Sequence, residues 1–385
     1  MQAADEVLLY LLVEQQPSAY RALVGHFGSA AKALAVDDKQ WRSLGVNRRF
    51  CDRRSAWPKS ASCDGIRSQW RKSLAWLEGD NRGLWLDSAL NNETENAWPR
   101  AFAEVPKRPP LLFWQGDETV LGLPQIALVG SRAATRSGLA TAHAIAAEIA
   151  QTGLVVTSGL ASGIDGSAHA GALSVKGKTL AVLGCGLDRV YPARHQHLAA
   201  SISESGLLVS EFVPGSSPEP WCFPRRNAVI AMLSLGVAVV EAGPVSGSII
   251  TAQAANQLSR FVWAVPGPIA SLQSRGCHRL IRDELARLVE SAQDILQDAL
   301  PVIRQWYGSV PEKVATDGIA IMPKPLVPSA ISQKVLDAMD WQVNSVDQLL
   351  TDTEHAAEQV LMALGELEML GWIAAVPGGY QRLTS

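Results

Sequence analysis

The chain carries little excess charge of either sign. Its 385 residues hold 34 Lys and Arg against 37 Asp and Glu, a formal net charge of −3. That excludes a histone-like protein that coats nucleic acid by bulk positive charge, though not a local basic groove. Cysteine is scarce, at five residues in positions 51, 63, 185, 222 and 277. No two have CxxC spacing and the number is odd, so neither a disulfide framework nor a zinc site is predicted; the pattern suits a reducing compartment. Long apolar runs are absent as well. The stretch Val7 to Val13 is about a third of the roughly 20 residues needed to span a bilayer, and Asp5 and Glu6 stand where a signal peptide would be basic. A cytoplasmic protein without membrane insertion is expected.

Apolar residues are plentiful, at 47% against 18% charged, which excludes wholesale disorder. At roughly 150 residues per domain the length suggests two or three domains. Residues 1 to about 75 lack strand alternation and read as short helices, and 1–104 is assigned as a small helical, SAM/helix-hairpin-like domain with a connector. Within it Leu23 to Ser29 reads as a helix–turn–helix junction. Arg48, Arg49, Arg53, Arg54 and Lys59 form a basic segment that a solvated helix face explains as well as a DNA patch does. Over 105–300, short β-branched runs alternate with Ala-rich helical segments. Strands are predicted at 126–129, 154–157, 179–183, 207–210, 237–241 and 261–265, with helices at 137–151, 163–175, 194–204, 227–234 and 247–259. This is an α/β pattern, a doubly wound parallel sheet that binds ligands outside the carboxyl ends of its strands. Residues 301–328 contain Pro301, Pro311, Pro323, Pro325 and Pro328, and their later part reads as a linker. Residues 329–385 predict three short helices and a hairpin around Pro377-Gly378-Gly379, a winged-helix pattern.

The chemistry concentrates in the strand-to-helix loops. These are Gly130-Ser131-Arg132, then Ser158-Gly159 continuing to Gly163-Ile164-Asp165, then Gly184-Cys185-Gly186, and Ser246-Gly247-Ser248 leading to Thr251. Glycine lets backbone approach a ligand, and helix N-termini offer unpaired N–H groups to anions. Four such loops on one rim predict an extended phosphate-binding edge. Two phosphate motifs fail. Gly177-Lys178-Thr179 has Ala172 where a P-loop needs glycine, and it precedes a strand. The dinucleotide fingerprint is missing after Val129.

Candidate catalysts are few. Asp165 and His169 stand four apart, a spacing that a helix-start Asp and a hydrogen-bonded core His explain. Ser131, Ser158 and Ser248 lack an evident base. The cations are better placed: Arg132 on the first loop, Lys178 before a strand, and Arg225-Arg226-Asn227 opening a helix. Arginine beside glycine loops grips phosphate bidentately, and Tyr191 offers a face on which a base can stack.

Taken in order, these segments resemble the DNA-processing protein A (DprA/Smf) family. The matching string runs from Val129-Gly130-Ser131-Arg132 through Ser158 to Asp165, Gly184 to Asp188 with Tyr191-Pro192, and Ser210-Glu211. It continues through Phe223 to Asn227, Val240 to Ala242, Ser246 to Ala252, Ala264 to Gly267 and Leu280-Ile281. The resemblance implies an extended Rossmann-like core, flanked by the helical head and the winged-helix-like tail. It implies a non-enzymatic single-stranded DNA binder, homodimeric through that core, that protects incoming strands and helps load RecA in natural transformation. Neither cofactor nor metal is implied. Carried over by position, Gly130, Ser131, Arg132, Arg226, Asn227, Ser246, Gly247, Ser248 and Thr251 line the groove, and Lys178 lies where the family places a DNA-contacting lysine. The chain departs from the family at Ala228, where a second arginine is usual, and at Gly276-Cys277-His278 and 282–286.

Two other readings compete. A nucleotide phosphoribohydrolase of the LOG type needs a Pro-Gly-Gly-x-Gly-Thr loop with a glutamate nearby; here the loop is Gly243-Pro244-Val245-Ser246-Gly247-Ser248. A duplex reader built on the tail is disfavoured by charge, because 301–385 holds five basic residues against ten acidic ones. Protein contact suits that tail better. Residues 1–104 and 105–300 each come to +1, so DNA affinity in the core must come from placement.

Overall fold

The computed structural model describes residues 2–87, 102, 105, 108–307, 329–353, 355–370 and 372–383. Six helices open the chain: α1 (Gln2–Leu12), α2 (Pro17–Phe27), α3 (Ala30–Ala35), α4 (Asp38–Ser43), α5 (Arg48–Ala56) and α6 (Asp64–Leu77). The junction between α2 and α3 is a turn. Gly28 closes α2 at φ 84°, and the Ser29 side chain caps α3 by accepting the Lys32 N–H.

The core is a nine-stranded sheet in the order β1-β2-β6-β5-β4-β3-β7-β8-β9. Its strands are β1 (Arg82–Leu86), β2 (Leu111–Gly116), β3 (Gln125–Val129), β4 (Val155–Ser158), β5 (Thr179–Val182), β6 (Leu207–Ser210), β7 (Gly236–Val239), β8 (Phe261–Ala264) and β9 (Arg287–Leu288). From β6 to β9 all pairings are parallel; β2 joins β6 antiparallel and β1 joins β2 antiparallel. The six predicted strands are present and the doubly wound class stands. The antiparallel pair β1–β2 and the short β9 escaped the sequence reading, and β1 places part of the 1–104 segment in the core sheet.

Helices between the strands are α7 (Arg136–Gln151), α8 (Ile164–Ser174), α9 (Gln196–Ser205), α10 (Cys222–Leu233), α11 (Gly247–Gln257) and α12 (Arg275–Arg282), and α13 (Ala292–Tyr307) follows β9. Strand alternation sends neighbouring residues to opposite layers. Ile126 and Leu128 of β3 pack with α7, α8 and α13, while Ala127 and Val129 pack with α10 and α11. The head packs beside α9 on Ala181 of β5, Leu208 of β6, and Leu111 and Phe113 of β2. Head and core thus share one apolar cluster, and each large side chain buried there contributes about 1.5–3 kcal/mol. Helix α13 continues through Pro301 to Tyr307, so the first residues assigned to the linker are helical; 308–328 lie outside the described residues.

The C-terminal unit has α14 (Ala330–Ala338), α15 (Val346–Thr353), α16 (Ala357–Met369) and a three-stranded sheet. The predicted hairpin is β11 (Ile373–Val376) with β12 (Gly379–Arg382), and a short β10 (Val343–Asn344) pairs with β12.

Candidate nucleic-acid interface

Strand order reverses between β3 and β7, the switch point at which doubly wound sheets bind ligands. The two carboxyl ends are laced together: Val240 N–H donates to the Val129 carbonyl at 3.0 Å and Ser131 N–H to the Glu241 carbonyl at 2.7 Å. The Glu241 carboxylate turns away to accept the Thr135 N–H at 2.9 Å and the Thr135 hydroxyl at 2.5 Å, securing the start of α7. Beyond the lacing opens a cleft of about 540 Å³. Its lining includes Gly130, Ser131, Arg132, Arg226, Asn227, Ser246, Gly247, Ser248 and Thr251, nine of the residues singled out from sequence.

Each wall has a local cause. Ser246 caps α11: its hydroxyl accepts the Ser248 N–H at 3.4 Å and lies 2.7 Å from the Ser248 hydroxyl, its carbonyl accepts the Ile249 N–H at 3.1 Å, and the amino end of the helix borders the cleft. Asn227 donates its side-chain amide to the Gly247 carbonyl at 3.2 Å, joining α10 to α11. Arg132 is exposed, its guanidinium 5.1 Å from the Phe223 ring centroid, with no ion pair among the described residues. Arg226 is the opposite, 4% exposed on the cleft wall. Its Nη1 donates to the Val182 carbonyl at 3.3 Å and lies 3.9 Å from an Asp165 carboxylate oxygen, while its Nε has no hydrogen-bond partner. Burial lowers the Arg226 pKa and raises that of Asp165, and the attraction between the two opposes both shifts. A buried donor without a partner is uncommon in a folded protein. Beside the cleft a recess of about 60 Å³ is lined by Arg132, Gly159, Tyr191, Phe223 and Arg226. Tyr191 is 47% exposed, its ring 5.7 Å from that of Phe223.

A family model described as DNA recombination-mediator protein A matches residues 90–300, more than half of the chain. The chain belongs to this family. A second model, the DprA winged helix domain, matches 322–379, where α14 to α16 and the small sheet lie. Protein Smf of Escherichia coli K12 is 38% identical over 357 residues, spanning 92% of this chain and 89% of that protein. DNA processing protein DprA of Streptococcus pneumoniae is 42% identical over 204 residues, spanning 53% of this chain and 72% of that one. An X-ray structure of the S. pneumoniae protein matches with a TM-score of 0.64 at 30% identity, covering 76% of this chain and 97% of that one. DNA processing protein A of Helicobacter pylori, whose structure addresses its single-stranded DNA binding mode, matches with a TM-score of 0.50 at 28% identity, covering 54% and 95%.

Several residues singled out from sequence do other work in this family member. Ser158 is buried and donates its hydroxyl to the Leu128 carbonyl at 2.6 Å. Gly163 sits at φ 80° against the Ser131 carbonyl, and a Cβ there would lie 2.1 Å from that oxygen; it shapes the loop beneath Ser131. At Gly159 a Cβ would lie 1.3 Å from Arg226 Nη1, so the missing side chain makes room for the guanidinium. Gly186 is buried, its N–H bonded to the Ser216 carbonyl at 3.0 Å. Lys178 does not join the cleft. It precedes β5, at the amino end of the parallel strands, and pairs with Asp117 at 2.9 Å. Arg225 also points elsewhere: it pairs with buried Glu211, donates to the Tyr10 hydroxyl at 3.0 Å and the Gln15 carbonyl at 2.9 Å, and lies over Phe212 and Trp221. It fastens head to core.

Sequence reasoning missed the Arg226–Asp165 pair, because Asp165 was weighed only against His169. His169 instead meets the Thr179 hydroxyl at 2.7 Å, and burial drops its pKa to about 3, so it stays neutral. At the unusual 276–278 stretch, the buried Cys277 thiol contacts the Val239 carbonyl at 3.5 Å and His278 Nε2 the Gly267 carbonyl at 2.9 Å; these side chains hold the end of the core together.

Proposed function

We propose that this family member binds single-stranded DNA in the switch-point cleft, shields the strand, and hands it to RecA during natural transformation, acting as a homodimer through its core. The carrying observation is the pairing of an Arg132 outside any ion pair of the described residues with a buried, partly unsatisfied Arg226 beside the amino end of α11. A phosphate seated there meets two guanidinium groups and a helix N-terminus. A base beside it stacks on Tyr191 and Phe223 in the adjoining recess. Such contacts read backbone and stacking, which suits a protein that must accept any sequence. The binding mode named for the H. pylori relative supports the same ligand.

A binding role suits the cleft better than catalysis. Asp165, the carboxylate on its wall, is held by Arg226 and by the N–H groups of Gly159 at 3.2 Å and Ala161 at 3.3 Å. Ser131 and Ser248 have no base beside them among the hydrogen bonds of the described residues. Release of free base from AMP by the purified protein would overturn the non-enzymatic reading. Among the described residues no helix is long and apolar enough to cross a membrane.

The test is single-strand affinity measured against salt for the parent and for Arg132→Ala. Loss of one phosphate contact weakens binding and reduces the logarithmic salt slope by about 0.7. Unchanged affinity and slope would remove the cleft from the binding site.

A further inference from the structure

The cleft does not absorb the basic segment of the head. Between residues 45 and 77 the chain has eight basic side chains, Arg48, Arg49, Arg53, Arg54, Lys59, Arg67, Arg71 and Lys72, against Asp52 and Asp64. The ion pairs here also draw in Arg42, Glu14 and Asp38; counting these leaves nine basic against four acidic groups. In a chain of net charge −3 this is a concentrated excess. Arg48, Arg49 and Arg53 line a hollow of about 470 Å³, and two of them, Arg49 at 2.7 Å and Arg53 at 2.6 Å, share one oxygen of Glu14. Lys59, Arg71 and Lys72 are exposed and form no ion pair among the described residues.

This surface connects to the carboxyl rim through hydrogen bonds between head and core. Glu14 precedes Gln15, whose carbonyl takes the Arg225 guanidinium and whose side chain bonds the Val213 N–H at 2.9 Å. On α6, Gln69 bonds Ser216 at 3.1 Å and Ser73 bonds the Pro214 carbonyl at 3.3 Å. The head therefore abuts the loop that follows β6 on the carboxyl rim. Beside the Arg225 clamp that joins head to core lies Trp221, 51% exposed, with the Arg225 guanidinium 5.5 Å from its ring centroid.

We propose that the basic surface of α5, α6 and the segment with Lys59 between them is a second nucleic-acid contact, taking the phosphates of the same single strand after it leaves the cleft across Trp221. This rests on the cleft being a single-strand site. Phosphates repeat along a strand, so a strand anchored at Arg132 brings further negative charge along the rim. The arginine and lysine side chains answer it without reading sequence. Two contacts in tandem also raise local concentration, so the second strengthens long strands far more than short ones.

The experiment uses the full chain and two homopolymeric oligonucleotides, a short one that fills only the cleft and a long one that reaches the head. In the variant Lys59→Ala/Arg71→Ala/Lys72→Ala, which alters exposed cations outside any ion pair, long-strand affinity should fall about tenfold and its salt slope by about 2. Short-strand binding should not change. Trp221→Ala should also weaken the long strand alone. Equal losses on both lengths, or no loss on the long strand, would overturn the proposal. So would a loss confined to duplex of the same length, which would assign the face to duplex DNA. Arg132→Ala serves as the control: it weakens both lengths if the cleft is the anchor. If it weakens neither, the reading of the cleft itself fails, whatever the head does.

Discussion

At the carboxyl ends of β3 and β7, Arg132 has no acidic partner among the described residues and Arg226 keeps a buried Nε unpaired. At the amino end of β5, Lys178 is matched to Asp117 at 2.9 Å, and Asp117 holds its proton below the usual carboxylate range, chiefly through its bond from Thr119 and also through Lys178. Both rims carry cations, but Lys178 is matched by a carboxylate and Arg132 is not. The same contrast recurs between neighbours, since Arg225 is consumed by Glu211, Tyr10 and Gln15 while Arg226 faces the cleft. Both guanidinium groups hold the fold, but Arg226, tied to Asp165 and the Val182 carbonyl, also keeps its Nε unpaired on the cleft wall.

The contrast can be broken from either side. The largest effect is expected for Arg226→Ala. It strands Asp165 in a site where both side chains are under a tenth exposed, at a cost of about 3 kcal/mol. Denaturant unfolding should show this loss, and strand binding should fall with it. Arg225→Ala should destabilise by about 2–3 kcal/mol, because Glu211 is left buried beside the head. The folded fraction, however, should keep its affinity for a short strand. Equal binding losses in these two variants would erase the distinction between clamp and cleft. Smallest is Lys178→Ala: the pair with Asp117 is part-exposed, 42% and 34% by side chain, and such pairs contribute about 0–1 kcal/mol.

The sheet was legible because strands buried on both faces read as continuous apolar runs, as in Ile126 to Val129 or Val155-Val156. The pair β1–β2 was not. In β1, Arg82-Gly83-Leu84-Trp85-Leu86 is half-buried throughout and has no alternation to reveal it, and β2, though it holds the apolar run Leu111 to Trp114, stands outside the strand–helix alternation that marks the parallel strands. In the site, small residues after strands located the cleft, since the loops of a doubly wound sheet converge whatever their partners. The division of labour among the cations was hidden. Arg225 meets Tyr10 across more than two hundred residues, and Lys178 meets Asp117 across sixty-one, separations that no local pattern encodes. Asp165 was legible as a helix-start acid; its bond to Arg226 is a tertiary fact.

The most direct test titrates one oligonucleotide against Arg132→Ala and Lys178→Ala in parallel, over a range of salt. Each variant removes a single cation, so net charge changes equally. Placement predicts lower affinity and a salt slope reduced by about 0.7 for Arg132→Ala, with the parental curve retained for Lys178→Ala. Equal losses in the two variants would show that bulk charge, not the geometry of the cleft, governs binding.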